Sequence, residues 1–86
     1  GIMSVDGNVC VSIVKPAENG GGIILRVFNA ENAESKFTVT FRKEAEAVSE
    51  TDLYENITAV AEKNTEKTEI ALKPYEIKTL LIDFGE

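Results

Sequence analysis

Residues 36–42 read Lys-Phe-Thr-Val-Thr-Phe-Arg and alternate polar with apolar side chains without a break. Successive side chains of a β-strand point to opposite faces, so this alternation predicts a strand with one wet and one buried face. Phe37, Val39 and Phe41 are predicted to face the core, because aromatic and β-branched residues favour a pleated, half-buried surface. The segment therefore indicates a core that lies against a β-sheet.

Four further strands are predicted before and after this segment. They cover residues 8–15, 23–29, 65–73 and 76–84. In the first of them, Val9, Val11 and Ile13 are predicted to share one face. The second and the last carry apolar side chains on both faces, which is typical of strands that are covered twice. Residues 19–22, Asn-Gly-Gly-Gly, and Pro74 predict turns, since glycine accepts positive φ and proline has no N–H to donate.

Residues 43–64 allow two interpretations. Apolar side chains repeat at helical spacing, and polar residues at both ends would cap a helix. The apolar stripe consists of Leu53, Ile57, Val60 and Ala61, and the caps would be Ser49 and Asn64. The alternative is two short strands at residues 45–50 and 56–61, which the β-branched side chains favour. Periodicity alone leaves both interpretations open.

The order of the predicted elements indicates an all-β fold. Strands joined by short turns, without a strand–helix–strand rhythm, predict an antiparallel β-sandwich of about six to seven short strands, immunoglobulin-like in appearance. With 86 residues the chain has room for one domain, which we assign to residues 8–86. Residues 1–7 are interpreted as a scar of tag cleavage and a linker, because the chain does not begin with Met.

Charge and composition argue against several functions. The net charge of −6 disfavours nucleic-acid phosphates and anionic membranes as partners. No apolar run reaches the roughly 20 residues of a membrane span, and no signal peptide is visible. A single cysteine forms no internal disulfide, so we expect a cytoplasmic protein with Cys10 as a buried, inert thiol. The absence of histidine removes the commonest general base and metal ligand.

The sequence predicts no catalytic, cofactor-binding or metal-binding residue. Asp52, Glu55 and Asn56 offer oxygen ligands that suit calcium, but without EF-hand spacing they are typical of a polar turn. Asn56 also begins an N-glycosylation sequon, Asn-Ile-Thr. Tyr54 and Tyr75 are the only tyrosines that would stack on sugar faces, and for Tyr75, at a proline corner, a core-filling position is the alternative.

Three segments together carry a family resemblance. Residues 24–29 read Ile-Leu-Arg-Val-Phe-Asn, residues 52–56 read Asp-Leu-Tyr-Glu-Asn, and residues 72–80 read Leu-Lys-Pro-Tyr-Glu-Ile-Lys-Thr-Leu. In order and approximate spacing they resemble glycoside hydrolase family 38, the α-mannosidases. The corresponding patterns of that family are apolar-Leu-Arg-apolar-aromatic-Asn, Asp-Leu-apolar-Glu-x, and, at the closing strand, Leu-x-Pro-aromatic-Glu-Ile-x-Thr-Leu.

The resemblance implies that the chain is the C-terminal β-sandwich domain of an α-mannosidase-like enzyme. It also implies strands, not a helix, within residues 43–64. In that family a divalent metal, usually zinc, and the catalytic aspartates lie in a separate N-terminal domain. No position of this chain matches their motifs, so the resemblance implies no catalytic residue, metal ligand or cofactor here.

Strands that are apolar on both faces suggest a role for the domain. A two-layer sandwich covers one face of each strand, so the second face of the strands at residues 23–28 and 80–84 needs another cover. We expect the domain to buttress the other domains of its parent enzyme, and the isolated domain to self-associate. A carbohydrate-binding accessory module and a free-standing protein-interaction sandwich are the alternatives, and the lack of tryptophan disfavours the module.

Overall fold

The computed structural model describes residues 1–85, which form an antiparallel β-structure. The strands are β1 (Met3–Gly7), β2 (Cys10–Pro16), β3 (Ile23–Phe28), β4 (Ser35–Thr51), β5 (Ile57–Leu72) and β6 (Ile77–Asp83). They hydrogen-bond in the order β1-β4-β6-β3-β2, and β5 pairs with β4. The described residues contain no helix, and hence none that is long and apolar enough to cross a membrane. The predicted all-β antiparallel fold is confirmed.

The long hairpin of β4 and β5 curls the sheet into two layers. The first half of β4, residues 35–41, pairs with β1 and with the end of β5. The second half, residues 45–51, pairs with β6 and with the start of β5. Between the two halves, residues 41–44 lie opposite the single residue Glu66 of β5, and such an irregularity bends a strand pair. Both halves of β4 therefore contribute to one core.

One hydrophobic cluster fills the space between the layers. Its buried members are Leu25, Val27, Phe37, Val39, Phe41, Ala45, Val48, Ile70, Leu72, Leu80 and Ile82. Phe37, Val39 and Phe41 are buried, as the alternation of residues 36–42 predicts. Burial of side chains of this size contributes roughly 1.5–3 kcal/mol each. A shift of the β4 register by one residue would turn these side chains to the solvent face and would therefore be strongly unfavourable.

β3 and β6 are buried on both faces, as their composition predicts. Leu25 and Leu80 face the main core, whereas Ile24 and Leu81 lie opposite each other on the outer face of the sheet. Ile24 is fully buried and Leu81 is 8% exposed, and both pack with Ala17 in a second cluster. The chain itself therefore covers these two outer side chains.

The expectation that residues 1–7 form a linker is wrong for Met3–Gly7, which form β1. Met3 lies opposite Phe41 and Val5 lies opposite Val39 in the register with β4. Met3 and Val5 are half-buried and pack against the main core. Burial of these alternating apolar side chains explains why the segment joins the sheet.

Two predictions for β2 are wrong, because it is an edge strand with a register shift. The shift lies between Val11 and Ile13, and it leaves Ser12 as the extra residue. A bulge of one residue reverses the alternation, so Val11 and Ile13 do not share a face. Cys10 is exposed instead of buried, because it lies on the outer face, opposite Phe28, with no strand beyond it.

The ambiguous residues 43–64 form two strands and the turn between them, as the family resemblance implies. The short strand predicted at residues 45–50 is part of β4, and the one predicted at residues 56–61 belongs to β5 from Ile57 onward. The difference lies in length, since β4 has 17 residues and β5 has 16. Both strands are long because each one passes through the bend and serves both layers.

Candidate functional site

The connection between β4 and β5, residues 52–56, forms a tightly bonded turn that we call the hairpin tip. The Asp52 carboxylate organises it: Oδ1 accepts hydrogen bonds from the backbone N–H groups of Tyr54 (2.8 Å) and Asn56 (2.9 Å). Oδ2 accepts a hydrogen bond from the side-chain amide of Asn56 at 3.1 Å. Glu55 takes the left-handed conformation with φ of 66°, which closes the turn.

These bonds determine the chemistry of Asp52. The pKa of the Asp52 carboxyl lies below its ordinary value, mainly because it accepts a hydrogen bond from the backbone N–H of Asn56. The side-chain amide of Asn56 and the backbone N–H of Tyr54 lower the pKa further, whereas desolvation opposes these effects. Because both carboxylate oxygens are already bonded within the tip, the arrangement matches the predicted polar turn and offers no open oxygen cage for calcium.

Glu55 anchors the hairpin tip to the strands beneath it. Its Oε2 lies 3.4 Å from Nζ of Lys15, and its Oε1 accepts a hydrogen bond of 2.9 Å from the backbone N–H of Glu18. The Glu55 side chain is 13% exposed. Lys15 lies opposite Ile24 in β3. The tip therefore extends across the outer face of the sheet, towards the second apolar cluster.

Large apolar side chains surround the tip on its solvent side. Five of them form a surface that we call the tip face: Leu53, Tyr54, Ile57, Val60 and Ile77. Their exposed fractions run from 52% at Val60 to 86% at Tyr54. The register places Ile57 opposite Thr51, which lies opposite Thr79 of β6, so the set spans the end of the hairpin and the start of β6.

An open cavity of about 300 Å³ lies between the tip and the start of β6. Leu53 and Ile77 contribute its apolar wall. Its charged lining consists of the carboxylates of Glu50, Asp52 and Glu76 and the ammonium of Lys78. Glu50 and Lys78 form an ion pair at 3.6 Å. The cavity therefore carries more negative than positive charge beside an apolar wall.

The corner between β5 and β6 places Tyr75 in solvent. Tyr75 adopts the left-handed conformation with φ of 60°, and its backbone N–H donates to the carbonyl of Glu31 at 3.2 Å. Its side chain is 57% exposed, so the alternative that it plugs the core is wrong. Tyr54 and Tyr75 are thus both available as exposed aromatic surfaces.

Asn29 is the buried polar centre of that corner. Its side-chain amide donates to the carbonyl oxygens of Ala33 (2.8 Å) and Lys73 (2.9 Å), and its Oδ1 accepts from the backbone N–H of Glu31 (3.0 Å). The backbone N–H of Asn29 donates to the carbonyl of Glu76 at 2.9 Å. These bonds join the segments at residues 24–29 and 72–80, two of the three that carry the family resemblance. The sequence pattern alone predicts no structural role for Asn29.

A second open cleft, of about 370 Å³, lies at the opposite end of β3. Ile2, Ile23 and Phe84 give it an apolar lining, beside the glycine turn at residues 20–22 and the side chains of Arg42 and Lys43. Its lining residues carry no carboxylate, hydroxyl or thiol group. The cleft offers an apolar surface, not a set of reacting groups.

The residues of this chain do not fit zinc. The sequence has no histidine, and its one cysteine, Cys10, lies alone on an exposed strand edge. Within residues 1–85, no three histidine, cysteine, aspartate or glutamate side chains are grouped so as to hold a metal ion. Asn56, the first residue of the sequon, is exposed at the tip.

Comparison with known proteins gives one match. Residues 8–80 match the family model described as the glycosyl hydrolases family 38 C-terminal beta sandwich domain. Searches of curated proteins and of solved structures return no match to the chain.

Proposed function

Because the chain belongs to the family of glycosyl hydrolases family 38 C-terminal β-sandwich domains, we propose that it is the non-catalytic structural domain of an α-mannosidase. In this role it buttresses the catalytic part of an enzyme that hydrolyses α-mannosides. The zinc ion and the catalytic carboxylates of that enzyme would lie in another domain.

The family match over residues 8–80 carries this proposal. The surface chemistry supports it, since large apolar side chains are exposed in a group at the hairpin tip. Contiguous exposed apolar patches mark surfaces that contact another protein part. The Asp52 network and the Glu55 anchor hold this group in place, as a rigid support requires.

The test is an activity assay of the full-length enzyme on an aryl α-mannoside, with and without residues 1–86 and with and without added zinc. We expect zinc-dependent activity in the full-length enzyme and an inactive or unfolded truncated enzyme. Full activity of the truncated enzyme on this small substrate would overturn the buttress role. Inactivity of the folded full-length enzyme on every α-mannoside would overturn the α-mannosidase assignment.

A carbohydrate-binding accessory module is the second candidate, favoured by the exposure of Tyr54 (86%) and Tyr75 (57%). Aromatic rings stack on sugar faces, and loss of one such contact would weaken glycan binding about fivefold to tenfold. The test is the Kd for mannose oligosaccharides of the Tyr54→Ala and Tyr75→Ala variants of the full-length enzyme. Tyr54→Phe and Tyr75→Phe keep the rings and serve as controls. Equal Kd values for the Ala and Phe variants would exclude this candidate.

A further inference from the structure

The tip face is a continuous surface and not a scatter of exposed side chains. Leu53 and Ile77 line one cavity, although they belong to different parts of the chain. Ile57 and Val60 follow on β5, opposite Thr51 and Ser49 of β4, which lie on the same outer face as Leu81. Single exposed apolar residues are ordinary on protein surfaces, but a contiguous group marks a contact surface.

The hairpin tip holds these side chains outward. The Asp52 carboxylate accepts hydrogen bonds from two backbone N–H groups of the turn, and Glu55 bonds to Lys15 and to the backbone of Glu18. Ile24 and Leu81, on the same face of the sheet, are already buried beneath this region. These bonds fix the base of the tip to the sheet. Nothing within residues 1–85 buries the side chains of the tip face.

Charge at the tip face determines which partner fits. The adjoining cavity is lined by three carboxylates, of Glu50, Asp52 and Glu76, and by one ammonium, of Lys78. The whole chain has a net charge of −6. Two copies that apposed this face would bring like charges together, which is unfavourable. A partner with an apolar centre and lysine or arginine side chains around it is complementary to the tip face.

The size of the tip face also limits the partner. Five side chains would form only the apolar centre of a stable interface between separate proteins, which takes roughly 20–30 residues per side. A domain on the same polypeptide needs much less area, because tethering raises its effective concentration to about the millimolar range. A covalently linked neighbour is therefore the occupant that a surface of this size suits.

We infer that the tip face is the docking surface of this domain for a neighbouring domain of its own polypeptide. The neighbour would present an apolar surface bordered by lysine or arginine side chains. This inference rests on the proposed function in so far as the chain is one domain of a larger enzyme. It adds to that proposal the surface that makes the contact and the chemistry of the surface it meets.

The test is site-specific photo-crosslinking in the full-length enzyme. A photoreactive p-benzoylphenylalanine replaces Tyr54 in one sample and, as the matched control, Val14 in another. Val14 is 57% exposed and lies opposite Leu25 on the edge strand β2, on the other face of the sheet from Lys15 and the hairpin tip. Cross-linked peptides are then identified by mass spectrometry, and intramolecular products are separated from dimers by size.

We expect the probe at position 54 to cross-link within one polypeptide to peptides outside residues 1–86, with severalfold higher yield than the probe at position 14. The captured peptides are expected to contain apolar residues next to lysine or arginine. Dimeric products from position 54, or a yield no higher than from position 14, would overturn the inference.

A charge variant tests the complementarity separately. Glu76→Gln removes one carboxylate charge and keeps a side-chain oxygen for the bond that Glu76 Oε1 accepts from the backbone N–H of Lys73. We expect this variant to lower the cross-linking yield from position 54 severalfold, whereas Glu69→Gln, exposed elsewhere on β5, leaves it unchanged. Equal yields from both variants would contradict a basic partner surface.

The outcomes separate this inference from the proposed function. If removal of residues 1–86 leaves activity intact but position 54 still cross-links to a neighbour, the buttress role fails and the docking surface stands. If the truncation abolishes activity but position 54 captures no neighbour, the docking surface fails and the buttress role stands.

Discussion

Asn29 joins two segments that lie far apart in the sequence. Its buried amide bonds to the carbonyl oxygens of Ala33 and Lys73, and Asn29→Ala would leave both without this donor and open a small space. We expect this variant to lower the free energy of unfolding by roughly 2–3 kcal/mol, measured by urea denaturation. Asn32→Ala, an exposed change in the same loop, serves as the control and should stay within about 0.5 kcal/mol of the parent sequence. A similar loss in both variants would show that the Asn29 network adds nothing specific.

Asp52 makes the stability of the hairpin tip depend on pH. Its carboxyl has a lowered pKa in the folded chain, mainly because of the backbone N–H of Asn56, so the folded state favours the ionised form. The resulting stabilisation is present above the pKa of the unfolded chain, about 3.9, and is lost as the pH falls through the lower folded pKa. We expect Asp52→Asn to reduce the thermal midpoint at neutral pH and to flatten its decline in acid. Asp6→Asn, exposed on β1, is the control, and an acid decline of unchanged slope in Asp52→Asn would contradict the argument.

At the scale of elements, the turn between β2 and β3 depends on a close approach of Gly22 to β6. A Cβ atom at Gly22 would clash with the backbone oxygen of Ile82, and the φ of 146° is itself unfavourable for other residues. Gly20 has φ of 77° but open space around it, so it isolates the conformational part of the cost. We expect Gly20→Ala to cost about 1 kcal/mol and Gly22→Ala on the order of 3 kcal/mol in urea denaturation. Equal costs at the two positions would mean that the contact with β6 relaxes freely.

β1 is the element whose contribution is most easily removed. Deletion of residues 1–7 would expose the edge of β4 and remove the half-buried Met3 and Val5 from the core. We expect this deletion to lower the free energy of unfolding by about 2 kcal/mol or more, from the lost apolar burial and ladder hydrogen bonds. Deletion of residues 1–2 alone, outside the strand, is the control. If the deletions of residues 1–7 and of residues 1–2 had the same urea midpoint, β1 would not stabilise the fold and residues 1–7 would act as a linker.

At the scale of the whole molecule, a strand and its buried face can be predicted from the sequence only where polar and apolar residues alternate regularly. Phe37, Val39 and Phe41 alternate without a break and are buried together, so their strand and its inner face are predictable. The bend of β4 at residues 41–44 and the shift at Ser12 are not, because an extra residue leaves no signal in the alternation. Alternation with a period of two also does not distinguish an edge strand from a central strand of the sheet. For this reason Cys10 was predicted to be buried, although it lies on an edge strand. The outward apolar side chains of residues 53–61 imitate a helical stripe because bulges in β5 change which face each one occupies.

The isolated domain should reveal the tip face as exposed apolar surface. Leu53 and Ile57 are 71% and 57% exposed, and nothing within residues 1–85 buries them. We expect the isolated chain to enhance the fluorescence of Nile red, a neutral dye that its negative charge does not repel. The double variant Leu53→Ser, Ile57→Thr should lose most of this enhancement, since it removes the apolar groups and leaves the Asp52 network intact. Val11→Thr, a comparable change at an exposed position of β2, should keep it. Absence of dye binding, or equal losses of fluorescence in the two variants, would show that these side chains do not form an exposed apolar surface.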